Sequence, residues 1–119
     1  MKHLLILSFV ALFAGKAAAQ KIVAAKDAHK YAGKEVIVEG KLCNWGDSGY
    51  GQFATFDIGT DIAPKQLTVV SQGRNYSYSK ARTWVGHYLG RTVLIKGVIM
   101  QPDTIGVWMN MTDTIRLKP

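Results

Sequence analysis

The sequence has only one cysteine, Cys43, among its 119 residues. No intramolecular disulfide can form, so a small domain built from this chain has to be held together by its apolar core. A single cysteine is either buried as a small hydrophobic side chain or free to pair with a second chain, and we expect the buried arrangement.

The chain also has little of what catalysis requires. Beyond residue 19 its only histidines are His29 and His87, and neither is placed with an acid at metal-ligand spacing. Cys43 has no histidine near it in the sequence, so a thiol nucleophile with an adjacent base is not indicated. We therefore expect a non-catalytic protein that uses no metal and no cofactor.

No apolar run in the N-terminal region is long enough to span a membrane. The run Leu4–Gly15 has 12 residues, whereas a transmembrane helix needs about 20. With Lys2 before it and the small residues Ala17–Ala19 after it, this run predicts a cleavable export signal over residues 1–19. We therefore expect an exported protein, periplasmic or secreted, with no membrane anchor after cleavage.

Removal of the signal leaves residues 20–119, a suitable length for a single domain with one modest core. The signal contains two of the 15 Lys and Arg residues and none of the eight Asp and Glu residues, so the mature net charge is +5. This mild basic excess favours anionic partners, although it identifies no particular site.

Two segments, Tyr31–Leu42 and Tyr88–Ile99, match position by position at a spacing of 57 residues. In each, a tyrosine is followed by a glycine, a base, alternating β-branched residues and a second glycine, which is Gly40 or Gly97. We interpret each segment as a turn that ends at the first glycine and leads into a strand. The second glycine lies inside the strand, where a missing side chain marks a sharp bend or a close backbone approach, as a small closed barrel requires.

The other segments predict three more strands and one helix between strands three and four. Five strands with a helix in that position is the order of the five-stranded Greek-key OB fold, which binds oligonucleotides and oligosaccharides. The predicted strands are Glu35–Cys43, Gln52–Ile58, Lys65–Ser71, Arg91–Met100 and Ile105–Met111, with a helical turn at Ala24–Tyr31, the helix at Tyr78–Tyr88 and a final extended segment at Asp113–Leu117.

In the segments KYAGKEVIVEGKL, FATFDIGTDIAPKQLTVV, YLGRTVLIKGVI and GVWMNMTDTIRL, the chain resembles small exported OB-fold proteins of bacteria, which are related to the nucleic-acid-binding OB-fold superfamily. The resemblance extends over nearly all of residues 20–119. A secreted nuclease family shares the barrel, but Asp47, Asp57 and Asp61 do not stand in a recognisable pattern of its clustered acids. A nuclease is therefore the weakest hypothesis.

An OB barrel generally binds its ligand on the face of strands two and three, framed by the loops that join strands one to two and four to five. Here those loops are Asn44–Gly51 and Gln101–Thr104. The candidate ligand-binding residues on this face and beside it are Lys41, Trp45, Tyr50, Phe53, Thr55, Lys65, Arg74, Tyr76 and Trp108.

Period-2 alternation divides the side chains of strands two and five between the core and the outside. In strand two we assign Ala54, Phe56 and Ile58 to the core, which leaves Phe53 facing outward. In strand five the same alternation places Trp108 opposite a core-facing set made of Ile105, Val107, Met109 and Met111.

Exposed aromatic rings interleaved with bases suit single-stranded nucleic acid, because rings stack on bases and Lys or Arg neutralises phosphates. This is the first hypothesis. The second is an extracytoplasmic glycan or protein partner, since the same rings suit sugars and Asn44, Asp47 and Gln101 offer hydrogen bonds. A purely structural role also stays open, in which Trp45 and Trp108 only cover the open ends of the barrel.

Overall fold

The computed structural model describes residues 21–47, 53–71 and 78–119, apart from the side chains at 78, 79 and 114. The predicted export signal lies outside these residues. Among the helices of the described part of the chain, none is both long enough and apolar enough to cross a membrane.

Six strands and three short helical segments make up the described chain. The second to sixth strands correspond to the predicted strands one to five, and the first strand precedes them. The strands are β1 (Ile22–Ala24), β2 (Glu35–Asp47), β3 (Ala54–Gly59), β4 (Leu67–Ser71), β5 (Thr92–Ile99) and β6 (Trp108–Leu117). The helical segments are the 3-10 helix Ala25–Tyr31, the α-helix Tyr78–Ala81 and the 3-10 helix Val85–His87.

Five of the strands close into a ring in the order β2, β3, β4, β6, β5 and back to β2. All neighbours in the ring are antiparallel except β4 and β6, which run parallel. The short strand β1 lies outside the ring and pairs in parallel with β2 from Ile37 to Glu39. The chain therefore forms a closed, mixed, five-stranded barrel, as the sequence predicts.

The helix predicted over Tyr78–Tyr88, between strands three and four, is not supported. That segment has only a four-residue α-helix and a three-residue 3-10 helix, and the longer 3-10 helix Ala25–Tyr31 lies before β2. Thr83, Val85 and Gly86 all have lower helix propensity than straight-chain residues, so the segment has little intrinsic tendency to continue as an α-helix.

Several strand boundaries also differ from the predicted ones, most of all in β2, β4 and β6. β2 continues to Asp47 through a bulge between Leu42 and Asn44, so the first half of the predicted loop is strand. β4 begins at Leu67 rather than at Lys65, and β6 extends over Trp108–Leu117. The sequence pattern does not predict β1, because three residues are too few for alternation to be recognised.

The barrel interior is filled by inward-facing residues from all five strands of the ring. Phe56 is the largest fully buried side chain, and the ring of Trp84 lies 5.6 Å from it between centroids. Trp84 in turn lies 5.2 Å from the ring of Tyr88. Residues 80–91, which lead into β5, therefore pack on the core through aromatic contacts rather than through a regular helix.

The two matching sequence segments have the same backbone conformation at their first glycine. Gly33 has φ = 81° and Gly90 has φ = 80°, the left-handed region in which glycine is favoured. Gly33 follows the 3-10 helix Ala25–Tyr31, which ends at the tyrosine of the first segment. Gly90 follows the 3-10 helix Val85–His87, which ends directly before Tyr88, the tyrosine of the second segment. The predicted turn at the first glycine is therefore present in both copies.

The two segments also bond to each other in a reciprocal way. Gly33 N donates to Ile99 O at 2.7 Å, and the matching Gly90 N donates to Leu42 O at 2.8 Å. Within the ladder, Val38 pairs with Ile95, which is its own counterpart 57 residues later. The repeat therefore places β2 and β5 about an approximate two-fold axis through the Val38 and Ile95 pair.

Gly40 and Gly97 are points of close approach inside these two strands. A Cβ atom at Gly40 would meet Ile58 Cγ2 and would lie 3.3 Å from Ala25 Cβ. A Cβ atom at Gly97 would collide with the backbone oxygen of Asn110 and lie 2.9 Å from Met109 Cγ. Both positions therefore exclude a side chain, and the obstacle at Gly97 is rigid backbone.

We expect Gly97→Ala and Gly40→Ala to destabilise the fold by about 1 to 3 kcal/mol, because each methyl group overpacks the barrel. Gly97→Ala is expected to cost more, since the Asn110 carbonyl can move less than the Ile58 side chain. Gly86→Ala is the control, because nothing lies within 4 Å of the position of its Cβ. Urea unfolding of the three variants measures the difference, and equal small effects at all three positions would contradict it.

Candidate ligand-binding face

Four neighbouring strands direct two rows of residues away from the barrel core, and we call this surface the outer face. The ladder aligns Asn44, Asp57, Thr68 and Trp108 in one row, on β2, β3, β4 and β6 respectively. It aligns Gly46, Thr55, Val70 and Asn110 in the adjacent row. The Thr68 hydroxyl donates a hydrogen bond to Asp57 Oδ1 at 3.3 Å, which joins β4 to β3 on this face.

The predicted inside and outside of β3 are the ones observed. Ala54, Phe56 and Ile58 are completely buried, whereas Thr55 is half-buried. Phe53 directly precedes β3 on the Thr55 side of the alternation, and 37% of its surface is exposed. Phe53 is therefore an accessible aromatic ring at the edge of the outer face.

Trp108 begins β6 and is half-buried at the other end of the first row. The Cα atoms of Trp108 and Phe53 are about 16 Å apart, because four residues along β3 and two strand spacings across the sheet separate them. A ligand that contacts both rings is therefore an extended chain rather than a single small ring.

The loop that leads into Trp108 is held by one carboxylate. Asp103 Oδ1 accepts hydrogen bonds from the backbone N–H groups of Ile105 at 2.8 Å and of Gly106 at 3.0 Å. The N–H groups of Gly106 and Ile105 lower the pKa of the Asp103 carboxyl below 3.8. The indole of Trp108 also favours the ionised form, although its buried Nε1 has no partner in hydrogen-bonding geometry within the described chain.

Trp45 does not lie in a loop as predicted. It lies in β2 opposite Phe56, half-buried, and packs against the hydrophobic core. The bulge at Cys43 explains this, because one extra residue reverses the alternation and turns position 45 inward. The arrangement matches the structural alternative, in which this ring covers the core.

Lys41 and Lys65 lie near the turn between β3 and β4 rather than in the two rows of the outer face. Lys41 pairs across the ladder with Gly59, and its ammonium group forms an ion pair with the carboxylate of Asp61. The hydrogen bond from Lys41 to Asp61 raises the lysine pKa. Lys65 lies exposed within the turn, two residues before β4 begins.

A groove of about 490 Å³ opens beside this ion pair, and we call it the Lys41 groove. Its lining includes Lys41, Cys43, Asp61, Pro64, Leu89 and Gly90. The Cys43 thiol is half-buried and donates weak hydrogen bonds to the backbone oxygens of Lys41 at 3.4 Å and Thr60 at 3.6 Å. Burial raises the pKa of this thiol, so it stays protonated at neutral pH and is a weak nucleophile.

Three of the candidate residues, Tyr50, Arg74 and Tyr76, lie outside the described residues. Within residues 21–47, 53–71 and 78–119, no three His, Cys, Asp or Glu side chains are grouped to hold a metal ion. Asp57 is aligned with Asn44 in the ladder, whereas Asp61 binds Lys41, so these two acids serve different neighbours.

The pattern of strands and loops in the sequence predicts neither the ion pair of Asp61 with Lys41 nor the turn held by Asp103. The turn at Asp103 could have been predicted, because an Asp side chain commonly accepts hydrogen bonds from the backbone N–H groups two and three residues later, here those of Ile105 and Gly106. No local sequence pattern predicts the pairing of Lys41 with Asp61, since it depends on the register of two strands.

The chain matches no known family profile and no curated protein. Among solved structures it is similar to OBody AM1L10 bound to hen egg-white lysozyme, with 17% identity, a TM-score of 0.59, and coverage of 82% of this chain and 90% of that one. OBody AM3L15 bound to the same lysozyme gives 16% identity and a TM-score of 0.58, over 82% and 92% of the two chains.

The aspartyl-tRNA synthetase of Entamoeba histolytica is also similar, with 10% identity and a TM-score of 0.58. The match covers 86% of this chain and 23% of the synthetase, so it concerns one part of that enzyme. At these identities the similarity establishes the fold. The chain is an OB-fold barrel.

We expect Phe56→Ala to destabilise the fold by about 3 to 5 kcal/mol, because the ring is fully buried. Phe53→Ala should cost clearly less, about 1 kcal/mol, since 37% of this residue is exposed at the edge of the outer face. Thermal unfolding followed by circular dichroism compares the two variants. Unfolding of Phe53→Ala would show that this ring belongs to the core.

Asp103 should stabilise the loop before β6 above pH 3.8, and this contribution should disappear as the pH falls through its lowered folded pKa. Asp103→Ala should therefore melt below the wild type at neutral pH and match it in strong acid. Asp103→Asn is the control, because its amide oxygen can accept the same backbone hydrogen bonds. Thermal melts across the acid range test this, and a difference that persists in strong acid would contradict it.

Proposed function

We propose that this chain is an exported, non-catalytic OB-fold module that binds single-stranded nucleic acid across the outer face. The observation that carries the proposal is the accessible ring of Phe53 at the edge of that face. The Lys and Arg residues of the chain are also unevenly distributed along the sequence. Base stacking on such a ring contributes about 1 to 3 kcal/mol per base.

The charge distribution supports an anionic ligand. From Ile62 to Pro102 the sequence has six Lys and Arg residues and no Asp or Glu. Four of these residues, Lys65, Lys80, Arg82 and Arg91, are exposed. A protein that binds single strands without sequence preference combines Lys and Arg side chains with a stacking ring. The cationic side chains neutralise phosphates, while the ring stacks on a nucleobase.

One observation favours a second candidate, an extracytoplasmic glycan. Among the described residues, the two rows of the outer face contain Asn44, Asp57, Thr55 and Asn110 but no Lys or Arg. Carboxylate, amide and hydroxyl groups beside an aromatic ring suit the hydroxyl groups of a sugar. The two candidates differ in salt dependence, since only phosphate contacts release counterions.

Export is supported by the N-terminal sequence, in which the 12-residue apolar run Leu4–Gly15 lies between Lys2 and three alanines. The proposal places the mature N-terminus near Gln20. N-terminal sequencing of the protein released by cells that express the full chain tests this part separately, and a retained Met1 would contradict it.

Titration of the mature protein with fluorescent oligothymidylate at about 50 and 200 mM salt tests the ligand class. We expect binding that weakens steeply with salt, and Phe53→Ala should weaken it by about 1 to 3 kcal/mol. Ile22→Ala is the control, because it removes an apolar side chain that is 56% exposed on β1, away from the outer face.

A panel of cell-wall oligosaccharides is titrated under the same conditions. Salt-insensitive binding of a sugar that Phe53→Ala weakens, with no binding of oligothymidylate, would replace nucleic acid by glycan. Strong binding of oligothymidylate that Phe53→Ala leaves unchanged would contradict the outer face as the binding surface.

A further inference from the structure

We propose that the Lys41 groove holds a phosphate group of the bound strand and that Asp61 is an internal counter-ion which this phosphate displaces. The inference rests on the proposed function and adds a second contact area to it. Its first support is continuity, because Cys43 lines the groove and is followed directly by Asn44, the first residue of the polar row that crosses the outer face. A strand that crosses that row reaches the groove at its β2 end.

The second support is the charge around the groove. Pro64 and Gly90 line it, and the next residue in each case is an exposed base, Lys65 and Arg91. Neither base forms an ion pair within the described chain. Lys41 lines the groove, and Lys65 and Arg91 each lie one residue beyond it in the chain, so three side chains of the kind that bind phosphate lie in or next to the groove lining.

The third support is the position of Asp61. The Asp61 side chain is 81% exposed on the turn between β3 and β4, yet its carboxylate is bonded to the ammonium group of Lys41, whose side chain is 32% exposed. An exposed carboxylate gains little from such a pair, because water and salt screen it. A phosphodiester group can therefore replace it on Lys41 at little cost.

The turn also holds Asp61 in place without help from Lys41. Thr60 N donates to Ala63 O at 3.0 Å, and Ala63 N donates to Thr60 Oγ1 at 3.0 Å. These bonds lie on either side of Asp61 and do not involve its carboxylate. The side chain can thus leave Lys41 while the turn keeps its shape.

The test measures the salt dependence of oligothymidylate binding. Arg91→Gln and Lys65→Gln should each remove one phosphate contact, so the loss of affinity between about 50 and 200 mM salt should become about 2.6-fold smaller. Arg116→Gln is the matched control, because Arg116 is an exposed arginine on β6 opposite Leu94, away from the groove. Circular dichroism melts confirm that each surface variant is folded.

Asp61→Asn provides a test of opposite sign. It should release Lys41 for the ligand, raising affinity at about 50 mM salt and making the salt dependence about 2.6-fold steeper. Asp27→Asn is the matched control, because it frees another lysine, Lys30, from an ion pair of 3.4 Å on the 3-10 helix Ala25–Tyr31. Equal gains in affinity from the two variants would show that the effect depends only on net charge, and this result would overturn the inference.

The result for Phe53→Ala separates the two proposals. If Phe53→Ala weakens binding while Arg91→Gln and Arg116→Gln behave alike, the outer face binds the strand and the groove does not. If the wild-type protein fails to bind oligothymidylate, the nucleic-acid function and the phosphate groove are both overturned.

Discussion

The antiparallel pairing of β2 with β5 is the constraint on which the rest of the structure depends. It runs from the Glu35 and Val98 pair to the Lys41 and Thr92 pair, and it closes the ring. β3 then continues the sheet from the second half of β2, and β6 continues it from β5. Gly40 and Gly97 let the backbones approach closely at the points where this arrangement bends the sheet.

The position of the candidate site follows from two further local features. The parallel pairing of β4 with β6 aligns Thr68 with Trp108, and this alignment extends the polar row to a fourth strand. The bulge at Cys43 points Asn44 outward and Trp45 inward. One strand direction and one extra residue therefore decide which side chains a ligand can contact.

Features that depend on neighbouring residues in the chain could be predicted from the sequence. The left-handed turns at Gly33 and Gly90 are examples, because only a glycine adopts that conformation easily and the same spacing occurs twice. The burial of Phe56 and the exposure of Phe53 followed from simple alternation. Features that depend on register could not be predicted, and the inward position of Trp45 and the pairing of Lys41 with Asp61 are of this kind. The helix was wrongly predicted because the apolar residues around Trp84 serve aromatic packing on Phe56 rather than a helical face.

The reciprocal bonding of the two repeats also has a consequence for how the chain folds. Val38 and Ile95 are 57 residues apart, so the central pair of the barrel can form only after a long loop has closed. The entropy of that closure must be lost before the contacts compensate for it, and domains rich in such non-local pairs fold slowly. The β2–β3 and β5–β6 hairpins contain only local pairings and can form early, but neither buries a full core alone. A chain with this topology can therefore close its barrel only once the C-terminal hairpin of β5 and β6 is available to pair with β2.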